Sequence, residues 1–195
     1  MLAVATLLAL LNLSSLAAAG YAAAANRQLD RPDSPKALAA ARIATQLAPW
    51  SAKHHALHGW LLAENRRADE SLAAYGQALR LAPADALLWA EYAQVLARLG
   101  RFDGTLTDAL QRAAALSPNS PIIQRTLAEI GLSYYLRGDQ TQRDLWLDSM
   151  RATLVRERRL FLGHVLTRGQ RHLFCDELAP KLGEEAWCQA LSKNP

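Results

Sequence analysis

Apolar side chains recur along this chain at helical spacing, in blocks that end in the same way. Leu-Ala-Pro or Leu-Ser-Pro closes three successive blocks, with the prolines at positions 49, 83 and 118. The intervals are therefore 34 residues (49 to 83) and 35 residues (83 to 118). Alanine and leucine dominate the blocks and β-branched residues are scarce, which favours helices. A near-constant period of this size predicts an all-α protein built from an array of helical hairpins.

Two consecutive units place small and large residues at repeating positions. In the first unit, which starts at Ala52, these positions hold Gly59, Leu62, Tyr75, Ala78 and Pro83. In the second unit they hold Trp89, Ala93, Leu96, Gly100, Phe102, Ala113 and Pro118, with one extra residue near the start of the second helix. Small residues let two helices approach, and large residues fill the seam between them. These residues resemble the tetratricopeptide repeat (TPR) family, although Ser71 and His55 replace its usual alanine and tryptophan.

The resemblance implies a right-handed superhelix of TPR hairpins, because no single unit buries its apolar face alone. A third, looser unit starts at Pro121, and its second helix is expected from about Gln140 to Arg156. The predicted layout is an N-terminal transmembrane or signal-anchor helix, a linker, the TPR array and a C-terminal helical cap. These parts cover residues 1–25, 26–34, 35–156 and 157–195.

In the TPR family the first helix of each hairpin lines a concave surface that binds peptides or partner helices. The resemblance therefore implies a groove for a protein partner, whose principal positions are Lys53, Trp60, Glu64, Leu87, Gln94 and Arg98. Small residues lie between them at Ala56, Ala63, Ala90 and Ala97. Trp60 has two interpretations: an apolar anchor for the partner, or a packing residue against the preceding helix.

Leu2 to Ala25 contains no charged side chain. As a helix of about 24 residues it would be roughly 36 Å long, enough to cross a bilayer. We therefore predict a retained membrane anchor, with a cleaved signal peptide and a buried globular helix as the alternatives. The helix expected from Pro35 to Leu47 resembles the second half of a hairpin, whose first half is either the end of this segment or absent.

Two signals disagree about the side of the membrane on which the body lies. Arg27, Arg31 and Lys36 follow the apolar segment, which by the positive-inside rule favours a cytoplasmic body. Cys175 and Cys188 lie on two short helices expected at about 170–178 and 184–191, an arrangement that favours a disulfide over free buried thiols. Because disulfides persist in oxidising compartments, we predict a single-pass protein of the bacterial inner membrane with a periplasmic body.

The net charge of +4 is modest and most arginines alternate with acids, so no nucleic-acid partner is predicted. The exception is a cluster in which Glu157 is the only acid between positions 151 and 171: Arg151, Arg156, Arg158, Arg159, Arg168 and Arg171. It suits either an anionic partner, such as lipid headgroups, or the solvated face of a capping helix. His54 and His58 share a helix face, but no acid or cysteine completes a metal site there, and no cofactor is predicted.

No phosphate-binding glycine loop and no nucleophile elbow is present in the sequence, so an enzyme is not predicted. The predicted function is a membrane-anchored scaffold that binds protein partners in cell-envelope assembly. Membrane-tethered repeat proteins of similar layout take part in bacterial exopolysaccharide synthesis, which we favour. The alternative is a periplasmic TPR chaperone or adaptor of the cytochrome c maturation type.

Overall fold

A computed structural model of the chain describes residues 2–28 and 34–193, so most of the predicted linker lies outside the described residues. All regular structure in the described residues is helical, which confirms the all-α prediction. The helices are α1 (Leu2–Asn26), α2 (Pro35–Leu47), α3 (Ala52–Glu64), α4 (Ala68–Leu81), α5 (Ala86–Arg98), α6 (Gly104–Leu116), α7 (Pro121–Tyr134), α8 (Gln140–Thr167), α9 (Arg171–Leu173), α10 (Ala179–Leu182) and α11 (Glu185–Lys193). A 3₁₀ turn spans Tyr135–Arg137 and a π-helical turn spans Phe174–Leu178. The chain divides into two compact units, Met1–Leu88 and Trp89–Pro195.

The first unit begins with a hairpin of α1 and α2 that is packed through alanines. Ala18, Ala22 and Ala25 form the buried stripe of α1. The facing stripe of α2 contains Ala37 and Ala41, both fully buried. Side chains this small let the two helix backbones approach closely. The end of the apolar segment is thus the missing first half of the α2 hairpin.

The predicted membrane span finds no support in this arrangement. In the part of the chain that the structure describes, no helix combines the length and the apolarity that a bilayer crossing requires. Leu10, Leu13 and Leu16 precede the alanine stripe of α1 and are 64%, 66% and 72% exposed.

The hairpin of α3 and α4 confirms the predicted pairing of a small residue with a large one. A Cβ atom on Gly59 would lie 2.8 Å from Cδ2 of Tyr75, so only glycine admits this ring. Leu62 and Ala78 are buried in the same hairpin. Ser71, which departs from the family pattern, donates a hydrogen bond from Oγ to the carbonyl of Gly59 at 2.7 Å. Its polar atom is therefore satisfied inside the seam.

The turns after α3 and α5 each contain one residue in the left-handed conformation. That residue is an arginine in the first turn and a glycine in the second. Arg66 has a φ of 60°, and Gly100, 34 positions later (100 − 66), has a φ of 75°. In each turn the following N–H reaches back into the helix, from Arg67 to the carbonyl of Leu62 and from Arg101 to that of Leu96, both at 2.9 Å. Glycine adopts this conformation without the penalty that a Cβ atom imposes.

We therefore expect Arg66→Gly to raise the free energy of unfolding by about 1 kcal/mol, since the left-handed conformation costs a residue with a Cβ atom roughly 1–2 kcal/mol. The side chain of Arg66 is exposed, so little packing is lost. Gly100→Ala should lower the stability by a similar amount. Urea denaturation of the three proteins makes the comparison, and an Arg66→Gly variant no more stable than the native chain would contradict it.

In the second unit, α7 and α8 pack around the fully buried indole of Trp146. A Cβ atom on Gly131 would lie 2.7 Å from Cγ of this ring, and one on Gly138 would lie 2.7 Å from Cη2. The backbone of Gly138 is extended, and its lack of a side chain admits the indole. In the preceding 3₁₀ turn Tyr135 is buried, whereas Leu136 is 64% exposed.

The end of the chain folds back on α8, which bends at Glu157, where the backbone leaves helical geometry. Cys175 in the π-helical turn and Cys188 in α11 form a disulfide, with their Cα atoms 5.6 Å apart. The rings of Phe174 and Trp187 meet edge to face at 5.5 Å between centroids. Aromatic packing and a covalent bond thus hold α11 against the preceding turn.

Candidate partner-binding surface

Three predicted groove residues lie on α3 at spacings of seven and four, which place them on one side of the helix. Lys53 is exposed, whereas Trp60 and Glu64 are half-buried. Ala56, expected in the same groove, is buried and belongs to the packed side of α3. The exposed part of this face therefore carries one cation, part of an aromatic ring and one carboxylate.

Trp60 makes contacts inside its own unit. It packs against a buried cluster that joins the first three helices, formed by Ala25, Ala37, Ala41 and Leu61. This placement agrees with the second of the two interpretations, a packing residue against the preceding hairpin. Because the ring is only half-buried, its remaining surface is accessible as well. Substitution of Trp60 therefore perturbs the fold and cannot by itself test partner binding.

The other three predicted groove residues lie on α5 with the same spacings. Leu87 is 42% exposed, and Gln94 and Arg98 are exposed. Ala90 and Ala97, expected in the same groove, are fully buried on the adjacent side of the helix. Trp89 is half-buried, and the guanidinium of Arg112 lies 4.9 Å from the centroid of its ring. Cation–π stacking thus fixes Trp89 inside the hairpin rather than on the predicted surface.

The histidines of α3 lie at its contact with the rest of the unit. Burial lowers the pKa of His54 and the charge of neighbouring His55 lowers it further, while a hydrogen bond involving the backbone of Ala44 opposes this shift. Burial also lowers the pKa of His58, followed in effect by His55 and Arg67, with Glu70 opposing. Among the described residues no three histidines, cysteines or acids converge on a possible metal position.

These shifts predict that the fold loses stability in mild acid. The folded state favours the neutral imidazoles of His54 and His58. Their contribution to the free energy of unfolding is therefore fully present above the unfolded pKa of 6.5 and is lost as the pH falls below it. We expect the melting temperature to fall less between pH 7.5 and 5.5 when both residues are glutamine. An equal fall in the native and substituted proteins would assign the acid sensitivity to other groups.

Most of the arginine cluster lies on α8, and part of its charge is neutralised by acids elsewhere in the second unit. Arg158 pairs with Glu184 at 2.6 Å, and Arg168 pairs with Glu129 at 2.8 Å. The single acid inside the cluster, Glu157, pairs outward with Arg125 on α7 at 3.1 Å. A large part of this face is therefore built into the packing of the second unit, as the capping-helix interpretation expects.

Comparisons with known proteins identify the type of fold of this chain. No protein-family model matches the sequence, and no curated protein is similar to it. A solved structure described as the crystal structure of MamA, a TPR-like protein, superposes with a TM-score of 0.56 over 72% of this chain and 81% of that chain, at 12% sequence identity. The chain has a TPR-like helical-repeat fold. At this identity the likeness concerns the fold alone.

Proposed function

We propose that this chain is a scaffold that binds protein partners through the exposed face of α3 and through that of α5, each considered within its own unit. The observation that supports it is that the positions presented by α3 have equivalents on α5 at the repeat period. Positions 53, 60 and 64 recur 34 residues later as 87, 94 and 98 (53 + 34, 60 + 34, 64 + 34). A helix face of this kind suits a peptide or a partner helix.

The side chains at these equivalent positions differ in charge, so the two faces suit different partner residues. Glu64 on α3 corresponds to Arg98 on α5, and Lys53 corresponds to the apolar Leu87. A basic partner residue suits Glu64, and an acidic one suits Arg98. Charges of this kind set the orientation and the register of a partner more than its affinity.

The proposed setting is the outer face of a bacterial inner membrane, in the assembly of cell-envelope material such as an exopolysaccharide. Two features support it. The exposed leucines of α1, of which Leu16 is 72% exposed, favour an apolar environment. The bond between Cys175 and Cys188 favours an oxidising compartment.

The scaffold proposal is tested by charge reversal on the two faces. Glu64→Arg and Arg98→Glu should each reduce capture of the native partners by tenfold or more, about 1.4 kcal/mol. Arg80→Glu is the control, because Arg80 is also exposed but lies on α4, the second helix of its hairpin. Capture from solubilised membranes is quantified by mass spectrometry after the variants are shown to be folded. Equal recovery by all four proteins would exclude the α3 and α5 faces.

A further inference from the structure

An open groove of about 740 Å³ runs along the outer side of α8, entirely within the second unit. Its lining includes Arg156, Arg159, Leu160, Gly163, His164 and Thr167. From Arg158, just after the bend at Glu157, to Thr167 the helix advances about 14 Å, since nine steps rise 1.5 Å each. The groove is therefore long enough for two to three turns of a second helix.

Two arginines at this groove keep an uncompensated charge. Arg156 donates a hydrogen bond to the carbonyl of Asn119 at 2.7 Å, and this acceptor is neutral. Arg159 is exposed and makes no hydrogen bond or ion pair within the described part of the chain. The neighbouring charges of the lining are both paired, Arg158 with Glu184 and Glu157 with Arg125. Arg156 and Arg159 therefore give the groove a net positive charge.

The floor of the groove is apolar and lacks a side chain at its centre. Leu160 is 46% exposed, and a Cβ atom on Gly163 would meet no atom within 4 Å. Glycine inside a helix is less favourable than alanine. Packing explains the glycine at position 131, where a side chain would collide with Trp146, but among the described residues no neighbour explains the glycine at position 163. A glycine there admits close approach of another backbone.

From these observations we propose that the α8 groove binds an acidic amphipathic helix of a partner protein. Apolar side chains of that helix cover Leu160 and the open space above Gly163. Its carboxylates pair with Arg156 and Arg159. The open space above Gly163 admits the backbone of a crossing helix, a contact that a membrane surface does not make. This site is separate in sequence from the α3 and α5 faces and does not depend on their role.

The test uses the full chain and a fluorescent synthetic helix of about 12 residues, the length that fits the groove. Its apolar positions are leucine, and its flanking positions are glutamate, glutamine or lysine in three otherwise identical peptides. By fluorescence anisotropy we expect the glutamate peptide to bind at least tenfold more tightly than the glutamine peptide. Arg159→Glu should abolish this preference and favour the lysine peptide, since the variant breaks no internal pair.

Gly163→Leu fills the floor of the groove and should weaken binding of the glutamate peptide at least tenfold, while Arg80→Glu should leave it unchanged. Gly163→Ala, which suits a helix, provides a folded variant with an intermediate effect. Equal affinity for the glutamate and glutamine peptides would overturn the proposal. So would binding that Arg159→Glu leaves intact, or binding of the native chain to anionic phosphatidylglycerol vesicles but not to the glutamate peptide.

Discussion

Replacing Trp146 with alanine should lower the free energy of unfolding by about 3–5 kcal/mol, the range for a large buried aromatic residue. The indole is fully buried, and Gly131 and Gly138 have no side chains with which to fill the cavity. Both glycines belong to backbone that encloses the ring, so collapse around the smaller residue is limited. Chemical denaturation of the full chain, followed by circular dichroism, measures the loss.

Trp146→Phe provides the matched control. The indole Nε1 is buried and has no hydrogen-bond partner among the described residues, so phenylalanine removes an unsatisfied donor along with part of the ring. We expect this variant to lose no more than about 1–2 kcal/mol, because the two effects oppose each other. A similar loss in both variants would mean that the indole is not packed as described.

Removing the Cys175–Cys188 bond should cost up to about 3 kcal/mol, the value that chain entropy gives for a loop of roughly 15 residues. The bond joins residues 13 apart and holds α11, whose Trp187 packs on Phe174. We therefore expect the Cys175→Ser, Cys188→Ser double variant to unfold at a lower denaturant concentration than the native chain. Addition of a reductant should lower the stability of the native chain but not that of the double variant, which has no disulfide to reduce.

The same bond tests the proposed compartment. Protein isolated from cells and alkylated without a reductant should carry no label on either cysteine, as judged by mass spectrometry. Labelling of both cysteines would remove the support for an oxidising compartment. Reducing the sample first provides the control, since both thiols must then react.

Pairs of residues inside one repeat were predictable, because a small residue and a large one recur at fixed spacing. Gly59 and Tyr75 meet as the resemblance implied, and Ala93 and Ala113 are fully buried as expected. The α1 segment was harder to interpret, since an uncharged run is typical of both a membrane span and an alanine-packed hairpin. The spacing of Ala18, Ala22 and Ala25 was the available signal for the hairpin.

The sequence predicted the positive charge of the α8 groove but not which of its arginines are paired. The sequence showed the excess of arginines, but the acids that neutralise them are distant in the chain: Glu184 lies 26 residues from Arg158, and Glu129 lies 39 residues from Arg168. Only the folded chain shows that Arg159 has no ion-pair or hydrogen-bond partner among the residues that the structure describes. The surroundings of Gly163 could not be predicted either. A glycine that packs against a bulky neighbour and a glycine that faces open space look the same in a sequence.

Site-specific photocrosslinking tests the central proposal, partner binding through the first helix of each repeat. A photoreactive amino acid replaces Gln94 on α5 in one protein and Gln111 on α6 in another; both are exposed glutamines. The account predicts that a partner is crosslinked from position 94 and not from position 111, and that Arg98→Glu abolishes the product. Crosslinking from position 111 alone, or equally from both positions, would contradict it.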